Sequence, residues 1–108
     1  MATLEIPVRS DVPAFRFQLP LEGRIYFFEF RFNTRMGRWL MDIENEAQLA
    51  LILGIPIFAG VSVLDGYTSD TLPPGVFVAV DMAGKNRDPD RENFGGDLKL
   101  YYRESVDG

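Results

Sequence analysis

Apolar and polar residues alternate along most of this chain. Phe28, Phe30 and Phe32 fall at every second position, and Trp39, Met41 and Ile43 do the same. A period of two places each set on one face of a β-strand. Between them lies Asn33-Thr34-Arg35-Met36-Gly37, with turn-forming side chains and a glycine suited to positive φ. Residues 25–43 therefore read as a β-hairpin with a five-residue turn. Leu4 and Ile6 alternate with Thr3 and Glu5, and Pro7 confines residues 3–8 to an edge or strand-end role. Phe15, Phe17 and Leu19 predict a strand that ends before Pro20, and residues 21–24 turn it into the hairpin. Val76, Val78 and Val80 alternate with Phe77, Ala79 and Asp81, while Leu98, Leu100 and Tyr102 alternate with Lys99, Tyr101 and Arg103.

Residues 47–53 are compatible with a short helix or a strand. The turn signals at Asn45 and Gly54-Ile55-Pro56 favour a strand. Residues 55–64 form a further apolar run bent at Gly60. Residues 65–75 and 83–97 read as loops. Seven or eight short, mostly antiparallel strands in one domain predict an all-β fold, a small barrel or sandwich. The single domain spans residues 1–108, ordered over about 3–103, with residues 104–108 expected to fray. The expected core is Phe17, Phe28, Phe30, Trp39, Met41, Val78, Val80, Leu98 and Leu100.

Composition narrows the chemistry. Among 108 residues there is no histidine and no cysteine. That leaves no imidazole acid or base, no thiolate, no disulfide and no usual zinc set. Catalysis would rest on carboxylates, hydroxyls or lysine, so no enzyme activity, cofactor or metal is expected. A net charge of −5 argues against nucleic acid and against anionic membrane surfaces as partners. Residues 1–5 lack the basic start and apolar run of a signal peptide, and the apolar stretch 49–61 is broken by Gly54, Pro56 and Gly60. Synthesis in the cytoplasm is the expectation. Arginines outnumber lysines nine to two, a bias that suits protein interfaces and equally fits genome composition.

Three constellations carry possible chemistry. Asn86, Asp88, Asp90 and Glu92 place oxygens at alternate positions, as a calcium loop does. Arg91 stands where an EF-hand needs glycine, so a loop of internal ion pairs is the simpler reading. Arginines 16, 24, 31, 35 and 38 lie among Phe15, Phe27 and Trp39, a pattern that can bind single strands on a barrel face. Alternation sends the phenylalanines into the core instead and Arg31 to the other face. Asp65, Asp70 and Asp81 offer carboxylates for hydrolysis, with no histidine to assist them. The alternative to a structural role is thus a small barrel that binds single-stranded nucleic acid or oligosaccharide. For protein contacts, the candidates are Phe27, Arg31, Arg35, Arg38, Tyr67, Arg87, Arg91, Phe94 and Tyr101. The strands at residues 4–8 and 99–103 are expected as open edges. Loop 83–97 is expected as a contact site whose removal (residues 84–94) spares folding.

Read in order, the motifs resemble a phage family. They are Ile6-Pro7, Phe15-Arg16-Phe17, Asn33 at a hairpin tip, then Trp39 to Ile43 as Trp-x-x-Asp-Ile. Gly54 to Ile57 as Gly-Ile-Pro-Ile, Gly60, Leu64, Leu72 to Gly75, Asp81 and Leu100 to Tyr102 follow. Their order over nearly the whole chain is similar to the baseplate plug proteins of contractile-tailed bacteriophages. The chain departs at Glu44-Asn45-Glu46-Ala47, where relatives are expected to carry a glycine-bearing turn. The resemblance implies a virion structural protein at the base of the tail tube, in contact with tube or hub proteins as symmetric copies. It implies no catalytic residues.

Overall fold

The computed structural model describes residues 2–67 and 69–105. Seven strands form: β1 (Thr3–Ile6), β2 (Ala14–Leu21), β3 (Arg24–Asn33), β4 (Arg38–Glu44), β5 (Ala50–Pro56), β6 (Val76–Asp81) and β7 (Leu98–Arg103). They make two antiparallel sheets, one of order β1-β7-β6 and one of order β2-β3-β4-β5. The all-β expectation holds, in a sandwich-like form with open edges.

The larger sheet is a meander whose turns follow local chemistry. Glu22 and Gly23 have φ of 52° and 85°, the two positive values that a tight two-residue hairpin needs. At the next tip Gly37 has φ 66°, its N–H donates to the Asn33 carbonyl at 2.8 Å, and the Asn33 side chain accepts the Met36 N–H at 3.0 Å. In the third turn Gln48 takes φ 64°. A non-glycine residue thus takes a left-handed position just after residues 44–47, where relatives are expected to carry a glycine-bearing turn, helped by Asn45, whose side chain accepts the Leu49 N–H at 2.9 Å. The segment 47–53 resolves as turn and then strand.

The register explains the core. Phe15 pairs with Phe30, Phe17 with Phe28, Phe30 with Met41 and Phe32 with Trp39, so one face of the sheet is an aromatic layer. Phe28, Phe30, Trp39 and Met41 are fully buried. Phe17 is only partly buried, because β2 is an edge strand. From the smaller sheet Ile6, Phe77, Leu98, Leu100 and Tyr102 close the core, and Phe77 meets Phe28 at 5.8 Å between ring centres. Tyr102 joins the two sheets: its hydroxyl donates to Glu22 in the β2–β3 turn and accepts the Gly75 N–H at 2.7 Å. Ser105 also donates to Glu22, and the Glu104 N–H reaches the Ala2 carbonyl at 2.9 Å. Residues 104 and 105 are therefore tied down rather than frayed, and residues 106–108 lie outside the described part.

Four expectations are corrected. In β6 the faces are reversed: Phe77, Ala79 and Asp81 point inward, while Val76 and Val80 are 43% and 37% exposed and Val78 is half-buried. Burying Phe77 removes more apolar area from water than burying a valine, and its ring packs 4.8 Å from that of Tyr102. The run 55–64 is not one strand. β5 ends at Pro56, and only isolated bridges, Ala59 to Ala79 and Ser62 to Val78, hold the rest beside β6. Residues 99–103 are not an edge either, since β7 is the central strand of its sheet. Finally, loop 83–97 is not a detachable connector, because Pro89 and Phe94 within it are buried.

Candidate interaction surfaces

The outer face of the larger sheet is ionic and closed on itself. Arg16 donates to Glu44 at 2.5 Å, approaches Glu29 at 3.5 Å and covers the half-buried Phe27 ring at 5.1 Å. Arg31 pairs with Asp42. That carboxylate also accepts the Gly54 N–H at 2.6 Å where β5 bulges past β4, so Asp42 is buried but satisfied.

Loop 83–97 is built the same way. Asp81 accepts two hydrogen bonds from the Arg87 guanidinium, at 2.8 and 3.1 Å, and the N–H groups of Ala83 and Arg87 at 2.9 and 3.0 Å. These donors hold its carboxyl well below the usual carboxylate range, with Arg87 the largest cause. Asp88 splits its oxygens between Arg38, at 2.9 Å, and the Ala59 N–H, at 2.8 Å. Asp90 and Asn93 cap each other's backbone N–H groups at 2.8 and 2.7 Å. Arg91 donates to the Ser10 carbonyl. Of the four side chains considered for calcium, Asp88 and Asp90 thus have oxygens engaged with separate partners. Among the described residues no three acidic side chains gather as a metal site.

A folded pKa below the unfolded one means stability that is present above the unfolded value and lost as pH falls. The Asp81 site should therefore weaken the protein as pH drops below about 4, the unfolded aspartate range. Asp81→Asn should be less stable at neutral pH and should show a shallower acid limb, measured by urea unfolding at a series of pH values. Equal acid limbs would show that other carboxylates govern acid unfolding.

The candidate contact residues now separate into groups. Arg31, Arg38, Arg87 and Arg91 are engaged within the chain, Arg38 also stacking 4.1 Å from the Phe58 ring centre. Phe27 lies beneath Arg16. Phe94 is buried at 1% exposure against Trp39 and Phe30, so it presents no surface. Arg35 at the hairpin tip and Tyr67 are exposed, and Tyr101 is half-exposed on the outer face of the smaller sheet. They do not form one cluster in the chain.

The apolar surface lies elsewhere and was missed. Val76 and Val80 share the outer face of the smaller sheet with Tyr101. Beside them run Phe58 and Val61, at 39% and 52% exposure, and Met82, at 58%, follows β6. Together with Thr3, Ser62, Val78 and Arg103, Val76, Val80 and Tyr101 line a shallow depression of about 410 Å³. The available signal was Phe77, a lone aromatic in the opposite phase of the valine run.

The fold and its surfaces define a small all-β domain with an ion-paired face on the larger sheet and an apolar outer face on the smaller one. The family model described as "Cyanophage baseplate Pam3 plug gp18" matches residues 3–105, and the chain belongs to that family. Membership indicates a structural role in the tail baseplate of the virion, in association with other baseplate proteins. No curated protein matches the chain.

Proposed function

We propose that this chain acts as a plug or adaptor at the base of the tail tube, working through protein–protein contacts in several symmetry-related copies. The observation that carries this reading is the family match over residues 3–105. The apolar outer face of the smaller sheet supports it, because exposed apolar patches rimmed by polar groups mark interaction sites. A plug works by shape and adhesion and needs no reaction. Of the arginines that suggested nucleic-acid binding, Arg16, Arg31 and Arg38 pair with carboxylates, while Phe27 lies beneath Arg16 and Trp39 is buried. Tube or hub proteins are the partners this reading assigns.

The test is mass spectrometry of purified virions and of isolated baseplates, with the gene deleted and restored in trans. Peptides of this chain should enrich in the baseplate fraction, and deletion should yield defective particles. Absence from particles, together with salt-sensitive submicromolar binding of single-stranded DNA, would instead favour the barrel-binding alternative.

A further inference from the structure

The chain exposes two apolar patches of opposite local charge. The first is the outer face of the smaller sheet, with Val61, Val76 and Val80 exposed and Arg103 at its rim. The second is the free edge at β5 and its leading turn, where Leu49 and Leu53 are 64% and 59% exposed and Glu46 is exposed in the turn ahead of the strand. Neither Arg103 nor Glu46 makes an ion pair among the described residues. Most other charges near these strands are paired, so these two are available.

We propose that the occupant of the valine face is the β5 patch of a second copy of this chain. The contact is head-to-tail, with Leu49 and Leu53 against the valines and Glu46 facing Arg103. Charge decides against the self-matched alternatives. Two valine faces together would bring two Arg103 side chains into one interface, and two β5 patches would do the same with Glu46. One patch is a sheet face and the other a sheet edge, so they point in different directions on the molecule. Head-to-tail contacts of this kind close into a ring when the rotation permits. The inference deepens the reading of a multi-copy plug and takes its setting from it.

Analytical ultracentrifugation of the full chain tests it. Wild-type protein should self-associate as concentration rises. Val80→Asp and Leu53→Asp should each be monomeric and retain the wild-type circular dichroism spectrum. Mixed, they should form a dimer, because each retains the patch that the other lacks. Arg103→Glu should weaken association, and Arg103→Glu with Glu46→Arg should restore it. A wild-type monomer at the highest soluble concentration overturns the proposal. So does a mixture that stays monomeric, or a Leu53→Asp protein that still dimerises alone. Virion mass spectrometry does not depend on these contacts. Protein present in baseplates but monomeric in solution would remove this inference and leave the plug reading standing.

Discussion

Trp39→Ala should cost about 3–5 kcal/mol of unfolding free energy, the range for deleting a large buried aromatic. Trp39 is at 0% exposure on β4. Its ring lies 5.7 Å from Phe15, 5.6 Å from Phe32 and 5.2 Å from Phe94, so it joins the edge strand, the central hairpin and the 83–97 loop. Its indole N–H donates to the Asp90 carbonyl at 2.7 Å. Truncation therefore leaves both a cavity and an unpaired carbonyl. Trp39→Phe weights the second effect: it keeps an aromatic ring, leaves a smaller cavity and loses the donor, with about 1–3 kcal/mol for the unpaired carbonyl. Guanidinium unfolding of the three proteins gives both numbers. A loss below about half a kcal/mol for Trp39→Ala would show that the indole is not in the core.

Deletion of residues 84–94 should abolish the folded state. The segment contains Pro89 and Phe94, both buried, and Asp88, which holds the Ala59 N–H and Arg38. It also supplies Arg87, the principal partner of the inward-facing Asp81. Without Arg87, Asp81 would face the core with a charge and fewer donors, a costly arrangement. Phe94→Ala alone should cost about 3–5 kcal/mol. The loop is judged by near-ultraviolet circular dichroism and by the cooperativity of thermal unfolding. A deletion variant with a sharp transition and native near-ultraviolet signal would mean that these contacts ride on the fold without supporting it. Because this deletion damages the fold, it is unsuited to testing incorporation into particles, for which Val80→Asp and Leu53→Asp are the better probes.

Strand positions were legible because alternation is a local property of the chain, and the hairpin at residues 25–43 shows how directly it maps to structure. Gly37 takes the positive φ that its place in the turn requires. The phase of β6 was not legible from alternation alone, because both phases contain apolar residues. Only the facing rings of Phe28 and Tyr102 decide for Phe77. Sheet order was equally hidden: nothing local marks β7 as central, since its neighbours are the first strand and the sixth. Loop 83–97 looked solvated because its residues are polar, yet those polar groups bond chiefly to one another and to nearby backbone. Arginines that composition marked for partners are drawn inward by Asp42, Asp81 and Asp88. Composition counts charges, and only three dimensions reveal which are spent. The apolar patches were missed for the same reason, being defined by what each sheet leaves uncovered.

The pairing of β1 with β7, Thr3 opposite Arg103, has a consequence for how the molecule is made. On the ribosome the larger sheet can zip hairpin by hairpin as β2 to β5 emerge, each strand meeting the one before it. The smaller sheet must wait for the very last strand, because both β1 and β6 hydrogen-bond only to β7 within it. Synthesis at about 5–20 residues per second then leaves the aromatic layer of the nascent chain uncapped for seconds. That interval, and the loop closure between the distant strands β1 and β7, should make the final step slow and dependent on the emergence of β7. A ribosome stalled before residue 98 would hold a meander with its oily side bare, a natural client for a chaperone of the infected host.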